Sequence, residues 1–220
     1  MRGINMDYKK IILFDWGNVL LDGNTSRYTI FNARNDIAVE LAPKDDAEFI
    51  QMFNEREFWT LNGECLNRYI EEYLSAAGCE CTVDEFKNCY LKYYRRIPWY
   101  EEMIQLTKDL ISDGRFCLGI LSTLCELDKE LLKERLLLCG FQYHFFSFNL
   151  GVQKPDNKIY EIVETVTGYD GQDILFIDDM QQNIAAAQNR GWKTVLATGN
   201  DVTKIRKICY QFYGITTERS

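Results

Sequence analysis

Ile11-Ile12-Leu13-Phe14-Asp15-Trp16-Gly17-Asn18-Val19-Leu20 opens with four apolar residues, ends that run on a carboxylate and then breaks at a Gly-Asn turn. A short continuous apolar run fits a strand buried on both faces, and Asp15 stands where the strand stops. A second run, Ile174-Leu175-Phe176-Ile177, finishes in the same way on Asp178-Asp179. Two buried strands ending in carboxylates can bring three acids to one edge of a sheet. Like charges held that close call for a cation, a proton or a reaction.

Outward from these two strands the pattern divides in two. Between Thr25 and Arg96 nothing reads as a strand. Ile37/Leu41, Phe49/Phe53, Tyr69/Ile70/Tyr73/Leu74 and Phe86/Tyr90/Tyr93/Tyr94 recur at helical spacing, with breaks near Pro43, Asn62-Gly63 and Ala77-Gly78. This predicts a bundle of about four helices inserted after the first strand. From Pro98 onward helices and strands alternate. Helices are expected over 100–112, 127–138 (stopped by Cys139-Gly140), 158–167, 183–189 and 202–212, and strands over 116–121, 145–148, 174–177 and 194–197. Such alternation predicts an α/β fold, a doubly wound parallel sheet whose ligands sit outside the carboxyl ends of its strands. Asp15, Ser122 and Asp178-Asp179 all fall at those ends. The expected division is a core of residues 1–24 and 97–220 and a helical cap over 25–96.

Composition narrows the function class. Acidic residues outnumber basic ones, 33 to 25, giving a net charge of -8 and no basic stripe to neutralise phosphates, so a nucleic-acid groove is not expected. No apolar stretch approaches a membrane span, and the first ten residues lack the apolar centre of a signal peptide. The eight cysteines are scattered, with no CxxC pair, which points to reduced thiols in a cytoplasmic protein. Cys79, Cys81 and the lone His144 make a poor set of metal ligands. Phe141, Tyr143, Phe145, Phe146 and Phe148 read as core around a strand, Cys125 as a buried structural thiol, and 213–220 as a frayed end.

Taken singly, Asp15 is either a turn former or a nucleophile, Ser122 either a helix start or a phosphate ligand, and Lys154 either a solvated loop residue or a charge stabiliser. Adjacent acids closing an apolar strand, Asp178-Asp179, invite a hard cation such as Mg2+. Together they form a coherent set. A carboxylate can attack phosphorus, a divalent cation screens its repulsion from the phosphate dianion, and a hydroxyl and an ammonium hold the phosphoryl oxygens.

The chain resembles the haloacid dehalogenase (HAD) superfamily of hydrolases, and within it the subgroup that includes bacterial α-D-glucose-1-phosphate phosphatases. Four motifs carry the resemblance, in order: FDWGNVLLD from residue 14, ILST from 120, GVQKPDNKIY from 151 and ILFIDDMQQNIAAAQNRGW from 174. It spans essentially the whole chain and implies a Rossmann-like HAD core with the helical segment as its cap. It implies that Asp15 is the nucleophile and a Mg2+ ligand, that Gly17 offers a backbone carbonyl to the metal, and that Asp179 is the acidic ligand of the last motif. Asp178 then assists the metal site or orients Lys154, and Asn183 supports the motif from the following helix. Ser122 and Lys154 match the phosphate-binding hydroxyl and the phosphate-stabilising lysine, with Thr123 and Asn18 as further phosphate-binding residues. The implied activity is Mg2+-dependent hydrolysis of a small phosphorylated metabolite, a sugar phosphate for instance, through an aspartyl-phosphate. The protein is expected to be a monomer or a homodimer.

Three departures mark the match. Gly17 stands where most phosphatases of the superfamily carry a second aspartate that moves the proton, which leaves Asp22 or a metal-bound water as substitutes. Thr123 stands where the subgroup usually has asparagine. In the cap turn Trp59-Thr60-Leu61-Asn62-Gly63-Glu64, which resembles the subgroup's substrate-facing loop, Leu61 and Asn62 replace common charges; Trp59 faces substrate or simply packs between helices. Two other readings stay open: a phosphate-binding regulatory protein that lost turnover with Gly17, and a metal-free haloacid dehalogenase acting at carbon.

Overall fold

In a computed structural model of the chain, residues 9–134 and 140–215 are described. Strands β1 (Ile11–Phe14), β2 (Cys117–Ser122), β3 (Tyr143–Phe146), β4 (Ile174–Asp178) and β5 (Lys193–Leu196) form one sheet in the order β3-β2-β1-β4-β5. Every pairing is parallel. The apolar runs are continuous because both faces are covered, and alternate residues serve opposite sides. Ile12, Phe14, Leu118, Ile120, Leu175 and Ile177 enter one apolar cluster with α6 (Glu101–Asp113) and α11 (Val202–Phe212). Ile11, Leu13, Cys117, Ile174 and Phe176 enter the other, with α9 (Asn157–Thr167) and α10 (Gln181–Gln188). The sheet is thus doubly wound, as the alternation of elements predicts.

Between β1 and α6 lies the helical insertion: α1 (Ile30–Leu41), α2 (Asp46–Gln51), α3 (Arg56–Thr60), α4 (Gly63–Ala76) and α5 (Val83–Tyr94). Capping boxes start two of these helices, Thr29 with Asn32 on α1 and Thr82 with Glu85 on α5. The interior is aromatic: Phe53 packs edge-on against Phe58, with centroids 5.1 Å apart, and Phe58 against Trp59 at 5.0 Å. These rings join the same apolar cluster as Phe14 and Ile120 of the sheet, so the insertion and that face of the core share one continuous interior.

Two expectations need correction. The strand expected over 145–148 is β3, Tyr143–Phe146, and the chain then turns into the single helical turn α8 (Ser147–Leu150). The cause is Ser147: its buried hydroxyl donates to Trp59 O at 2.5 Å and accepts from Leu124 N at 2.9 Å, tying the turn to the insertion. The frayed end expected from residue 213 is anchored at its start. The Tyr213 ring packs 4.6 Å from that of Phe116, and its hydroxyl accepts from Cys117 N at 3.0 Å. The helix expected over 127–138 begins as α7 (Asp128–Glu134); residues 135–139, with Cys139, and 216–220 lie outside the described residues. Among the described cysteines Cys65 is exposed, Cys79 and Cys81 are half-buried and Cys89, Cys117, Cys125 and Cys209 are buried. No described helix is long and apolar enough to cross a membrane.

Candidate active site

The register explains why the acids meet. β1 lies between β2 and β4, with Phe14 level with Ile120 on one side and Ile177 on the other. The ends of these three adjacent strands therefore place Asp15, Ser122 and Asp178 side by side, and Asp15 N donating to Ile177 O at 2.9 Å carries the pairing one residue further. Immediately beyond, Asn18 adopts the left-handed conformation, φ 56°, which turns the chain back across the sheet edge.

Asp15 is buried and crowded by partners. Ser122 Oγ donates to its Oδ1 at 2.5 Å, Trp16 N at 2.7 Å, and Lys154 Nζ lies 2.9 Å away. Lys154 is itself 6% exposed and also bonds Asp178 Oδ2 at 2.6 Å. Asn183 Nδ2 reaches both Asp178 oxygens at 3.0 Å, so Asp178 is itself fixed where it meets the lysine. Asp179 is held from the other side by Asn18 Nδ2, 2.8 Å from Oδ2. Burial pushes the Asp15 carboxyl up to about 7, against the neighbouring ammonium, which lowers it. Burial likewise raises Asp179. For Lys154 burial works against the charge, but Asp15 and Asp178 more than offset it and hold the ammonium above its ordinary range.

Asp15, Asp178 and Asp179 each offer a carboxylate oxygen, all within 4.8 Å of one another. One ammonium faces three acids, so a further cation suits the charge balance, and an all-oxygen donor set suits a hard divalent ion. A second observation fits. Asn18 Oδ1 and Asn183 Oδ1 are buried without a hydrogen-bond partner, while the amide nitrogen of each side chain is fixed on an acid of the triad. The hydration water of a bound cation would supply donors to such acceptors.

These groups border one cavity of about 320 Å³. Of the residues expected from sequence, Asp15, Gly17, Asn18, Ser122, Thr123, Lys154, Asp179 and Asn183 all line it, and Asp178 lies fully buried behind. Trp59 both lines the cavity and packs, its Nε1 donating to Phe53 O at 3.0 Å. Its neighbour Asn62 faces away and bonds Phe148 O at 2.7 Å, so the expected substrate-facing turn contributes Trp59 and not Leu61 or Asn62. Asp22 is also absent from the lining: it accepts from Thr25 N at 2.9 Å, Thr25 Oγ1 at 2.7 Å and Tyr100 at 3.1 Å. Burial raises its pKa, but these bonds outweigh it and hold the carboxylate below its usual range. Sequence reading missed Trp16, Ile30, Asn54, Tyr94, Asp128 and Gln153, which with Met180 and Gln182 complete the wall. Asp128 was the most accessible of these to inspection, as an acid at the start of a helix only a few residues after Ser122.

Solved structures share this fold. An HAD family enzyme from Bacteroides thetaiotaomicron, in complex with magnesium and inorganic phosphate, is 17% identical and superposes with a TM-score of 0.67, covering 86% of this chain and 94% of its own. A predicted HAD-like family hydrolase from Porphyromonas gingivalis is 21% identical, with a TM-score of 0.68 over 90% of this chain and 97% of its own. L-2-haloacid dehalogenase from Xanthobacter autotrophicus is 17% identical, with a TM-score of 0.59 over 84% and 76%. No curated protein matches the sequence. The family model of the haloacid dehalogenase-like hydrolases matches residues 9–191, and it is to this family of hydrolases that the chain belongs.

Proposed function

We propose that the protein is a Mg2+-dependent phosphomonoesterase that forms an aspartyl-phosphate on Asp15. The observation that carries this reading is the Asp15 carboxylate, held between the Ser122 hydroxyl and the Lys154 ammonium at the edge of an all-oxygen acid triad. Asp15 Oδ attacks phosphorus while Ser122 and Thr123 bind the phosphoryl oxygens. Lys154, positioned by Asp178, neutralises charge that develops on the transferring group. Mg2+, held by Asp15, Asp178 or Asp179 and the Gly17 carbonyl, supplies screening between the nucleophile and the phosphate dianion. The magnesium and phosphate bound by the Bacteroides enzyme agree with this choice of ligands.

Residues 25–96 serve as the cap and residues 1–24 and 97–220 as the core. The leaving group then faces Ile30, Asn54, Trp59 and Tyr94, which come from the cap segment. A cavity of about 320 Å³ admits a small metabolite, and these aromatic and amide groups favour an uncharged leaving group such as a sugar.

The test is phosphate release from a panel of phosphomonoesters, with Mg2+ and with EDTA, for wild type and Asp15→Asn. Release that needs both Mg2+ and Asp15 is expected. Binding of a phosphate analogue without any release would favour the regulatory reading suggested by Gly17. Metal-independent release of halide from a 2-haloacid would favour chemistry at carbon.

A further inference from the structure

Breaking a phosphoester with a poor leaving group calls for a proton on the departing oxygen. Gly17, two residues after the nucleophile, has no side chain to give one, and a β-carbon built there would meet nothing within 4 Å. The titratable residues that line the cavity are Asp15, Tyr94, Asp128, Lys154 and Asp179. Asp15 and Lys154 form a buried ion pair, and Asp179 belongs to the acid triad. The Tyr94 hydroxyl accepts from Arg34 Nε at 3.2 Å, and burial holds its pKa above the ordinary phenol range, which makes it a weak acid. Asp128 remains.

We propose, building on the phosphatase reading above, that Asp128 is the general acid that protonates the leaving oxygen. It opens α7, is fully buried, and still borders the cavity that holds the nucleophile. Its Oδ1 accepts from the Tyr90 hydroxyl at 2.8 Å and its Oδ2 from Cys125 N at 3.0 Å. Tyr90 stacks on Tyr94, with centroids 3.9 Å apart, so the carboxyl is fixed on the side of the cavity where the cap stands. The titratable and charged groups around it are Tyr90 and Tyr94 from α5, Arg34 from α1, and Cys125 from the preceding turn. Burial pushes Asp128 up to about 7, against the bonds from Tyr90 and Cys125 N and the Arg34 charge, so part of the population carries a proton at neutral pH.

In the first half-reaction Asp15 Oδ bonds to phosphorus and the bond to the leaving oxygen breaks. Its electron pair stays on that oxygen and the Asp128 proton joins it, giving a neutral alcohol, an aspartyl-phosphate and an Asp128 carboxylate. Water then attacks phosphorus, gives a proton to Asp128, and releases inorganic phosphate and the Asp15 carboxylate.

The test compares kcat/KM for an alkyl phosphate, whose alkoxide leaves poorly, with that for an aryl phosphate whose phenol departs as an anion. In Asp128→Asn the alkyl-to-aryl ratio is expected to fall by about 10²-fold or more, the scale of general acid catalysis. Equal losses on both esters, or no loss on either, overturn the assignment and leave Asp128 a structural residue. No release from either ester by wild type refutes the phosphatase reading, and this one with it. If Asp128→Asn does not fold, Tyr90→Phe carries the test. Losing that donor raises the Asp128 pKa, so the pH above which alkyl kcat/KM declines moves up; an unmoved limb overturns the proposal.

Discussion

Lys154→Met puts the buried charge balance to a direct test. The substitution keeps all but one heavy atom of the side chain's length and removes an ammonium that lies 2.9 Å from Asp15 and 2.6 Å from Asp178. All three side chains are at least nine-tenths buried, so water cannot replace the lost partner. Removing one member of a buried pair typically costs about 3–5 kcal/mol, because the remaining charge is left uncompensated, and here two carboxylates lose the same cation. The cost is best read at pH 8, above the value of about 7 to which burial pushes Asp15, where the wild-type carboxyl is ionised; without the ammonium that lowers it, the variant's Asp15 takes up a proton at still higher pH, and that uptake is part of the cost. Urea denaturation in EDTA should show Lys154→Met less stable than wild type by about 3–5 kcal/mol. Saturating Mg2+ should narrow that gap, since a divalent cation among Asp15, Asp178 and Asp179 compensates the same charges and binds the variant more tightly. A gap below about 1 kcal/mol in EDTA would mean that the acids are not ionised together, and would refute the reasoning.

Asp128 also links stability to pH. Its native pKa is raised from 3.8 to about 7, so the folded chain holds a proton that the unfolded chain releases, and stability falls as pH rises between those values. Between about pH 5 and pH 8 wild type should lose on the order of 3 kcal/mol more than Asp128→Asn, measured by urea denaturation; parallel curves would show the native group ionised throughout. Gly199→Ala should destabilise by about 1–3 kcal/mol, because the new β-carbon would lie 2.2 Å from the Tyr100 ring and 2.7 Å from Val19 O. Gly199 N also donates to Asn18 O at 2.9 Å, so the same variant should weaken Mg2+ binding through the Asn18 turn, and unchanged calorimetric affinity would uncouple the two.

Much of the site was legible because parallel sheets collect function at one edge. Once Asp15, Ser122 and Asp178-Asp179 are assigned to strand ends, their convergence requires only that the strands be neighbours. The strand order was not legible: pairing among β1, β2 and β4 is decided by which helices cover each face, and an apolar run such as Ile11–Phe14 does not name its partner. Ser147 shows the other limit. Its reading as the continuation of a strand fails because its hydroxyl is committed to Trp59 O, 88 residues away, and no local pattern encodes that bond. Asn62 was misplaced for the same reason, since its partner Phe148 O comes from the core. Asp128 looks like an ordinary helix-start acid until the structure buries it against Tyr90.

The unsatisfied polar atoms locate the function independently of any motif. Among the described residues, buried side-chain nitrogens or oxygens without a hydrogen-bond partner occur at Trp16, Asn18, Thr123, Gln153 and Asn183, and every one of these residues lines the same cavity. Elsewhere the fold meets its buried polar groups well, as native interiors do. Leaving such a group unpaired costs on the order of 1–3 kcal/mol, and water entering the cavity offsets part of that. Incomplete pairing concentrated in one place is therefore a property of the binding surface and not of loose packing. The mix is informative too: the Trp16 indole N–H can only donate, the Asn18, Asn183 and Gln153 oxygens can only accept, and the Thr123 hydroxyl can do both. A phosphate oxygen suits the indole and the hydroxyl, while hydroxyl hydrogens of a ligand or of coordinated water suit the amide oxygens. A haloacid carries few hydrogen-bond donors for that second requirement, so the polar lining, like the acid triad, supports the proposed reading of a hydrated cation beside a phosphate ester.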